Sequence, residues 1–248
     1  MEAVWEWFAW LYREHGINLT VFYDAYDRRM FFHGFVTTVW ISVVCIFFSV
    51  IIGVIGAWLQ GSHLRITRRL VYWYIQFFRN TPPLIQLYFF YFAVGNLLPR
   101  LPNAAGTMAP PLSNFAWAVI SFSFFAGAFN VEIFRAGIEA VPTATIEAAE
   151  SLGYTRLQTY INVVLPLAFR ISLPALNNNL VNLVKTTTLA YAIAVPELMY
   201  VSAQIWSEAA NVGEMMNLLL LLYIGLIAVL IWGMDRLETK LRIPGYSV

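Results

Sequence analysis

Long stretches of this chain carry no charged side chain, and they set its architecture. Met30 to Leu64 lacks Asp, Glu, Lys and Arg altogether, and so does Leu101 to Val131. A hydrocarbon core about 30 Å thick takes roughly 20 helical residues to cross. The apolar runs predict five spans, near residues 33–58, 76–98, 113–137, 171–195 and 215–234. The second has an aromatic lead-in, Leu70 to Phe78, that is expected to enter the membrane at an angle. The third starts after the breaker Pro110-Pro111, and the fourth is expected to be interrupted by Pro174 and by Lys185. Residues 1–29 form a separate part ahead of the transmembrane part, residues 30–248. There Glu2, Glu6, Glu14, Asp24 and Asp27 are interspersed with Trp5, Trp7, Phe8, Trp10, Leu11 and Tyr12. That pattern predicts an amphipathic helix, either lying at the outer interface with its aromatics at headgroup level or packed against a partner subunit.

Composition agrees with this reading. Of 248 residues, 60% are hydrophobic and 12% are charged, against about 25% charged in soluble domains. The net charge of +1 offers no footprint for nucleic acid. Cys45 is the one cysteine and sits in an apolar run, so no disulfide forms within the chain. Met1 to Asn18 is acidic and Trp-rich, without the basic and apolar regions of a cleavable signal peptide.

Basic residues orient the spans. Arg65, Arg68 and Arg69 follow the first span, Arg156 and Arg170 follow the third, and Arg236, Lys240 and Arg242 follow the fifth. The loop after the second span has only Arg100; the loop after the fourth has Glu197, Glu208 and Glu214 and no base. Arg28 and Arg29 argue the other way but are outnumbered. An odd span count then places the N-terminus outside and the C-terminus in the cytoplasm.

The stretch from Pro142 to Pro166 interrupts the apolar pattern on the side assigned to the cytoplasm. Thr143 or Thr145 is placed to cap a helix holding Glu147, Ala148 and Ala149. Gly153 suits a left-handed C-cap, and Thr155 can cap a second helix through Tyr160. Pro166, after Leu165, is expected to redirect the chain into the fourth span. A helix, a tight turn and a helix along the membrane surface make a docking element for a soluble partner. Polarity inside the spans is the second signal. Asn178, Asn182 and Lys185 fall on one helical face, and Asn179, Asn182 and Thr186 on an adjoining one. Such a stripe is costly in lipid unless it faces protein or water. It lines either a translocation path or a set of interhelical hydrogen bonds. Glu132, Arg135 and Glu139 are spaced to pair along a helix, which lowers the cost of charge in the membrane.

These motifs resemble those of a known family. Glu147-Ala148-Ala149, Gly153, Val163 and Leu165-Pro166 are similar in spacing to the EAA loop of ABC-importer permeases. Phe78-Arg79-Asn80-Thr81-Pro82-Pro83-Leu84 resembles the "RNTPLL" segment of the polar amino-acid branch, with Pro83 in place of the usual Leu. Phe129 to Ile138 resembles its "AEIFRGGI" stretch, and Val184 to Leu189 its "IKDTSL" segment. Thr186 stands where many members have Asp, which tilts modestly against a strictly cationic substrate.

The resemblance implies an all-α, five-span type I importer permease of the histidine, glutamine and glutamate branch, in a bacterial cytoplasmic membrane. It implies that Glu147, Ala148, Ala149, Gly153, Leu165 and Pro166 couple the chain to an ATPase. Candidate path residues are Asn178, Asn182, Lys185, Thr186, Thr187 and Glu132, with Arg79, Thr81, Pro82 and Arg135 as structural or gating candidates. The implied partners are two ATPase subunits, a second permease chain (identical or homologous) and an external substrate-binding protein. No cofactor is expected on this chain, since no G-x-x-x-x-G-K-[ST] occurs; ATP and Mg belong to the partner ATPase. The alternatives are a permease for another small solute such as an opine or compatible solute, a self-sufficient secondary transporter, and an intramembrane enzyme. The chain shows no repeat of the transporter kind, and His15, His33 and His63 are scattered without metal spacing.

Overall fold

The computed structural model describes residues 2–102 and 106–241, with side chains from Val4 onward. Met1 and Arg242, both used above, lie outside the described residues. The N-terminal part is helical: α1 (Glu2–His15) and the short α2 (Thr20–Tyr23). The chain continues through α3 (Ala25–Gln60), α4 (Arg65–Asn80) and α5 (Pro83–Tyr88), a π-helical stretch (Phe89–Val94) and α6 (Gly95–Leu97). Two residue pairs, β1 (Leu101–Pro102) and β2 (Met108–Ala109), form a small antiparallel ladder. Then come α7 (Asn114–Glu139), α8 (Thr143–Ser151) and α9 (Arg156–Thr159), a π-helical stretch (Tyr160–Val164), and α10 (Leu165–Thr186). A 3-10 segment (Thr187–Ile193), α11 (Leu198–Ala209) and α12 (Val212–Leu241) complete the chain.

Among the described residues, four helical stretches are long and apolar enough to cross a membrane: Ala25–Gln60, Asn114–Glu139, Arg156–Ile193 and Val212–Leu241. Four of the five expected spans lie within or largely within them. The second, expected over 76–98, is not one helix. It breaks after Asn80 and resumes as the shorter apolar stretch Pro83–Leu97. Pro82 and Pro83 are the cause. A proline has no N–H to give and disfavours the α conformation in the residue before it, and Thr81 is accordingly extended at ψ 144°. Buried Gln86 repairs the break. Its amide donates to the Phe78 carbonyl at 2.9 Å and to the Thr81 carbonyl at 3.0 Å. Phe78 is the acceptor that an N–H at position 82 would have used in an unbroken helix.

The fourth span differs in the opposite sense. Pro166 does not redirect the chain, and neither Pro174 nor Lys185 interrupts it; helix runs from Arg156 to Ile193. The π-helical stretch just before Pro166 changes the hydrogen-bond register where the proline offers no donor. Pro174 sits inside α10 without ending it, as membrane helices tolerate. Helix α11 is an addition, within the loop expected after the fourth span.

The chain divides into two compact units. One comprises Met1–Val44, Leu87–Ile120 and Val184–Ala228. Its core joins Val21, Val201, Ile205 and Met215. Asn18 clips the N-terminal segment to the turn between α11 and α12. Its backbone N–H donates to Glu214 Oε1 at 3.1 Å, its side-chain amide to the Ala209 carbonyl at 3.1 Å, and its carbonyl accepts from Asn211 at 2.8 Å.

The other unit comprises Cys45–Gln86, Ser121–Leu183 and Val229–Val248. Here α3, α7 and α10 pack through Ala57, Phe134, Leu176 and Leu180. Small residues bring their backbones together: a methyl group on Gly53 would overlap Asn130, and one on Gly56 would overlap Val131. A polar chain runs across the contact. Asn179 Nδ2 donates to Asn130 Oδ1 at 2.8 Å, and Asn130 Nδ2 donates to Ser49 Oγ at 3.2 Å. Close small-residue packing with interhelical hydrogen bonds suits lipid, where apolar surface alone does not drive helices together.

Candidate docking element and polar helix face

The Pro142–Pro166 stretch folds as two helices with a tight turn. Helix α8 starts directly after Pro142, and neither Thr143 nor Thr145 caps it, because Pro142 itself holds the N-cap position. Its C-terminus closes as a Schellman motif: Tyr154 N–H donates to the Ala149 carbonyl at 3.2 Å and Gly153 N–H to the Glu150 carbonyl at 3.0 Å. The motif needs a left-handed residue, and Gly153 has φ +92°. Thr155 then starts α9 with a capping box; it accepts from Gln158 N–H at 3.4 Å, and its own N–H donates to Gln158 Oε1 at 2.9 Å. The element is held at its base. Ile146 packs on a cluster of Val141, Val164 and Ala168, and Ala149 is buried.

Among the side chains this element leaves outside are large apolar ones. Leu152 is 83% exposed and Leu157 is 68% exposed, with Tyr154 between them. Glu147, Ala148, Gly153, Leu165 and Pro166 are exposed too. Sequence reasoning picked out the motif positions and passed over Leu152 and Leu157, although large aliphatics flanking a glycine turn in a polar stretch were there to be read.

On α10, Asn178, Asn182 and Lys185 are all exposed, along with Pro174 and Ala175. Steps of three and four residues place them on one face. Asn179 does not share the stripe with Asn182; it is buried on Asn130 and also donates to the Ala126 carbonyl at 3.0 Å. Thr186 and Thr187 are buried as well, and Thr187 Oγ1 donates back to the Val184 carbonyl at 2.7 Å.

The charged residues of α7 are paired. Arg135 bridges Glu132 at 2.8 Å and Glu139 at 2.6 Å. Arg79, at the end of α4, reaches Glu132 at 3.9 Å and lies 5.2 Å from the Phe129 ring. Thr81 Oγ1 donates to the Phe77 carbonyl at 2.7 Å, and Pro82 is exposed beside it.

Glu197 was missed as a site. It is fully buried between candidate spans and caps α11, accepting from Met199 N–H at 2.9 Å and Tyr200 N–H at 2.8 Å. Tyr223 of α12 donates to it at 3.2 Å, and Thr38 of α3 accepts from the next backbone N–H, that of Leu198, at 2.9 Å. Burial pushes its carboxyl up to about 7, and its hydrogen bonds only partly offset that. The acid after Val195-Pro196, at the start of a helix, was the available signal.

Solved structures share this fold. An amino acid ABC transporter crystallised with histidines matches with a TM-score of 0.75 and 24% identity, over 86% of this chain and 94% of its own. The MetNI methionine ABC transporter in inward-facing form matches at 0.68 and 21%, over 89% and 100%. Among curated proteins, the probable glutamine ABC transporter permease protein GlnM of Bacillus subtilis (strain 168) is 30% identical over 226 residues, 91% of this chain and 99% of its own. The glutamate/aspartate import permease protein GltJ of Escherichia coli (strain K12) is 26% identical, over 86% and 87%. Residues 49–243, which hold the helix pair, the polar face of α10 and the paired charges, match the family described as the inner membrane component of binding-protein-dependent transport systems, and the chain belongs to that family.

Proposed function

We propose that the chain is the permease subunit of an ATP-binding-cassette importer that carries a polar amino acid across a bacterial cytoplasmic membrane. The observation that carries the reading is the α8–α9 pair, which leaves Leu152, Tyr154 and Leu157 exposed in a chain of this family. Glu147, Ala148, Ala149 and Gly153 form or support the surface that meets the ATPase, and Leu165-Pro166 joins it to α10. Two ATPase subunits bind the ATP and Mg. Their closure draws the helix pairs of two permease chains together and opens the path outward; hydrolysis resets it. An external binding protein delivers the solute. The glutamine and glutamate/aspartate names of the relatives support an amino acid over an opine or a compatible solute.

The exposed face of α10 is the wall of the path in this reading, with Asn178, Asn182 and Lys185 turned toward a second permease chain or water. Counting Pro83–Leu97 with the four long helices makes five spans. In this reading the N-terminus is outside and α8–α9 is in the cytoplasm, which the distribution of basic residues supports. Glu132 and Arg135 hold each other neutral within α7, and Arg79 leans on them beside the Thr81-Pro82 break.

The test is mass spectrometry of everything that co-purifies with the tagged chain in mild detergent. A near-stoichiometric ATPase, with ATP-driven uptake of an amino acid after reconstitution, supports the proposal. A chain recovered alone that still moves a solute in liposomes overturns it.

A further inference from the structure

Between the end of α3 and the start of α10 lies an apolar cavity of about 310 Å³. Val54 and Ala57 of α3, Phe134 of α7, and Ala168 and Phe169 of α10 line it. The space is half open at Val54, Trp58 and Phe169 and offers water few hydrogen-bond partners. Its volume equals that of about ten water-sized groups, the scale of a run of methylenes.

Trp58 and Tyr160 stand at its edge, and both also line a second pocket of about 500 Å³. The remaining wall of that pocket is the turn from Leu59 to Leu64, which includes Ser62 and His63. Arg68 reaches over this turn and donates to the Ser62 carbonyl at 3.3 Å. Arg65 and Arg69 lie in the same first turns of α4, and no acidic residue lies between Met30 and Gly127. Helix α4 begins at Arg65 with no side-chain cap, leaving amide donors at that end. A hydrocarbon-sized apolar cavity thus meets a second pocket whose turn is held by the cationic Arg68, with a Trp and a Tyr at the junction. Those two residue types collect at the level of lipid headgroups.

We propose that this double pocket binds one anionic glycerophospholipid. An acyl chain lies between Val54 and Phe169, and the phosphate sits at the Ser62–His63 turn, facing Arg68 and Arg65. The inference rests on the membrane placement of the chain and not on which solute it carries. The lipid would brace the junction between the end of α3 and the root of the helix pair, since Tyr160 and Ala168 also pack in the cluster that seats Ile146.

The experiment uses the full transporter complex in nanodiscs of equal parts phosphatidylcholine and phosphatidylglycerol, then native mass spectrometry after transfer to lipid-free detergent. Retention of one phosphatidylglycerol per permease chain, in preference to phosphatidylcholine, is expected. Val54→Trp fills the cavity from its exposed rim and abolishes retention. Arg68→Glu, on the exposed surface, lowers it about tenfold. Equal retention of the two lipids, or wild-type retention by both variants, overturns the proposal. So does a cysteine at position 54 that cross-links to another chain of the complex, because a protein then covers the cavity.

Discussion

Gly137→Ala is a small change with a calculable outcome. Gly137 of α7 faces α10 so closely that a methyl group on it overlaps Ser172 Oγ and comes within 2.7 Å of the Ala168 carbonyl oxygen. Two effects oppose each other. Alanine is favoured over glycine inside a helix by about 1 kcal/mol. Overpacking a close contact costs about 1–3 kcal/mol, and here one obstacle is backbone, which cannot swing away as a side chain would. The backbone obstacle puts the cost at the upper end, about 2–3 kcal/mol, so overpacking wins for a net loss of about 1–2 kcal/mol. Ser172→Ala alone removes a hydroxyl that donates to the Ala168 carbonyl at 2.8 Å within its own helix, a loss of about 0.5–1 kcal/mol. In the double variant the hydroxyl overlap is gone and only the carbonyl contact remains. The pair is therefore expected to lose about 1 kcal/mol less than the sum of the single losses. Denaturant titration of the four purified proteins in one detergent, read by tryptophan fluorescence, measures the cycle. Strict additivity, or a Gly137→Ala protein as stable as the parent, refutes the close approach of α7 and α10.

Glu197→Gln is expected to flatten the pH dependence of stability. A buried acid raised from about 4.5 to about 7 holds more protons folded than unfolded across that window, so stability falls as pH rises through it, by up to about 3 kcal/mol; parallel melting profiles of parent and variant between pH 5 and 8 would discount the group. Gly153→Pro removes the N–H given to the Glu150 carbonyl and forces φ from +92° to about −65°; loss of ATP-driven uptake with normal membrane insertion is expected, and normal uptake would sink the docking assignment. Asn182→Leu with Lys185→Ala should cut uptake several-fold while leaving the melting temperature within a few degrees, since both residues are exposed. A large drop in melting temperature with transport retained would instead mark the α10 face as a packing surface.

The order of apolar and polar runs was enough to assign a membrane protein, to locate four of its long helices, and to find the helix pair. Those features are local. A span needs a length of apolar residues, and a cap needs a particular residue at one position, as Gly153 and Thr155 supply. The sequence was also enough to pair Glu132, Arg135 and Glu139, because helical spacing alone brings them together.

What depended on the tertiary structure is which polar group meets which neighbour. Asn178 and Asn179 are adjacent in sequence and equivalent in chemistry. One is exposed and the other is buried on Asn130, because α7 covers only one side of α10. Pro82-Pro83 breaks a helix where Gln86 folds back to take the freed carbonyls, whereas Pro166 and Pro174 break nothing. Whether a missing backbone donor ends a helix depends on what can replace it nearby, and periodicity does not carry that information. Glu197 shows the same limit. Its place in the chain reads as an acidic loop, and only the convergence of α3, α11 and α12 makes it a buried junction with three donors.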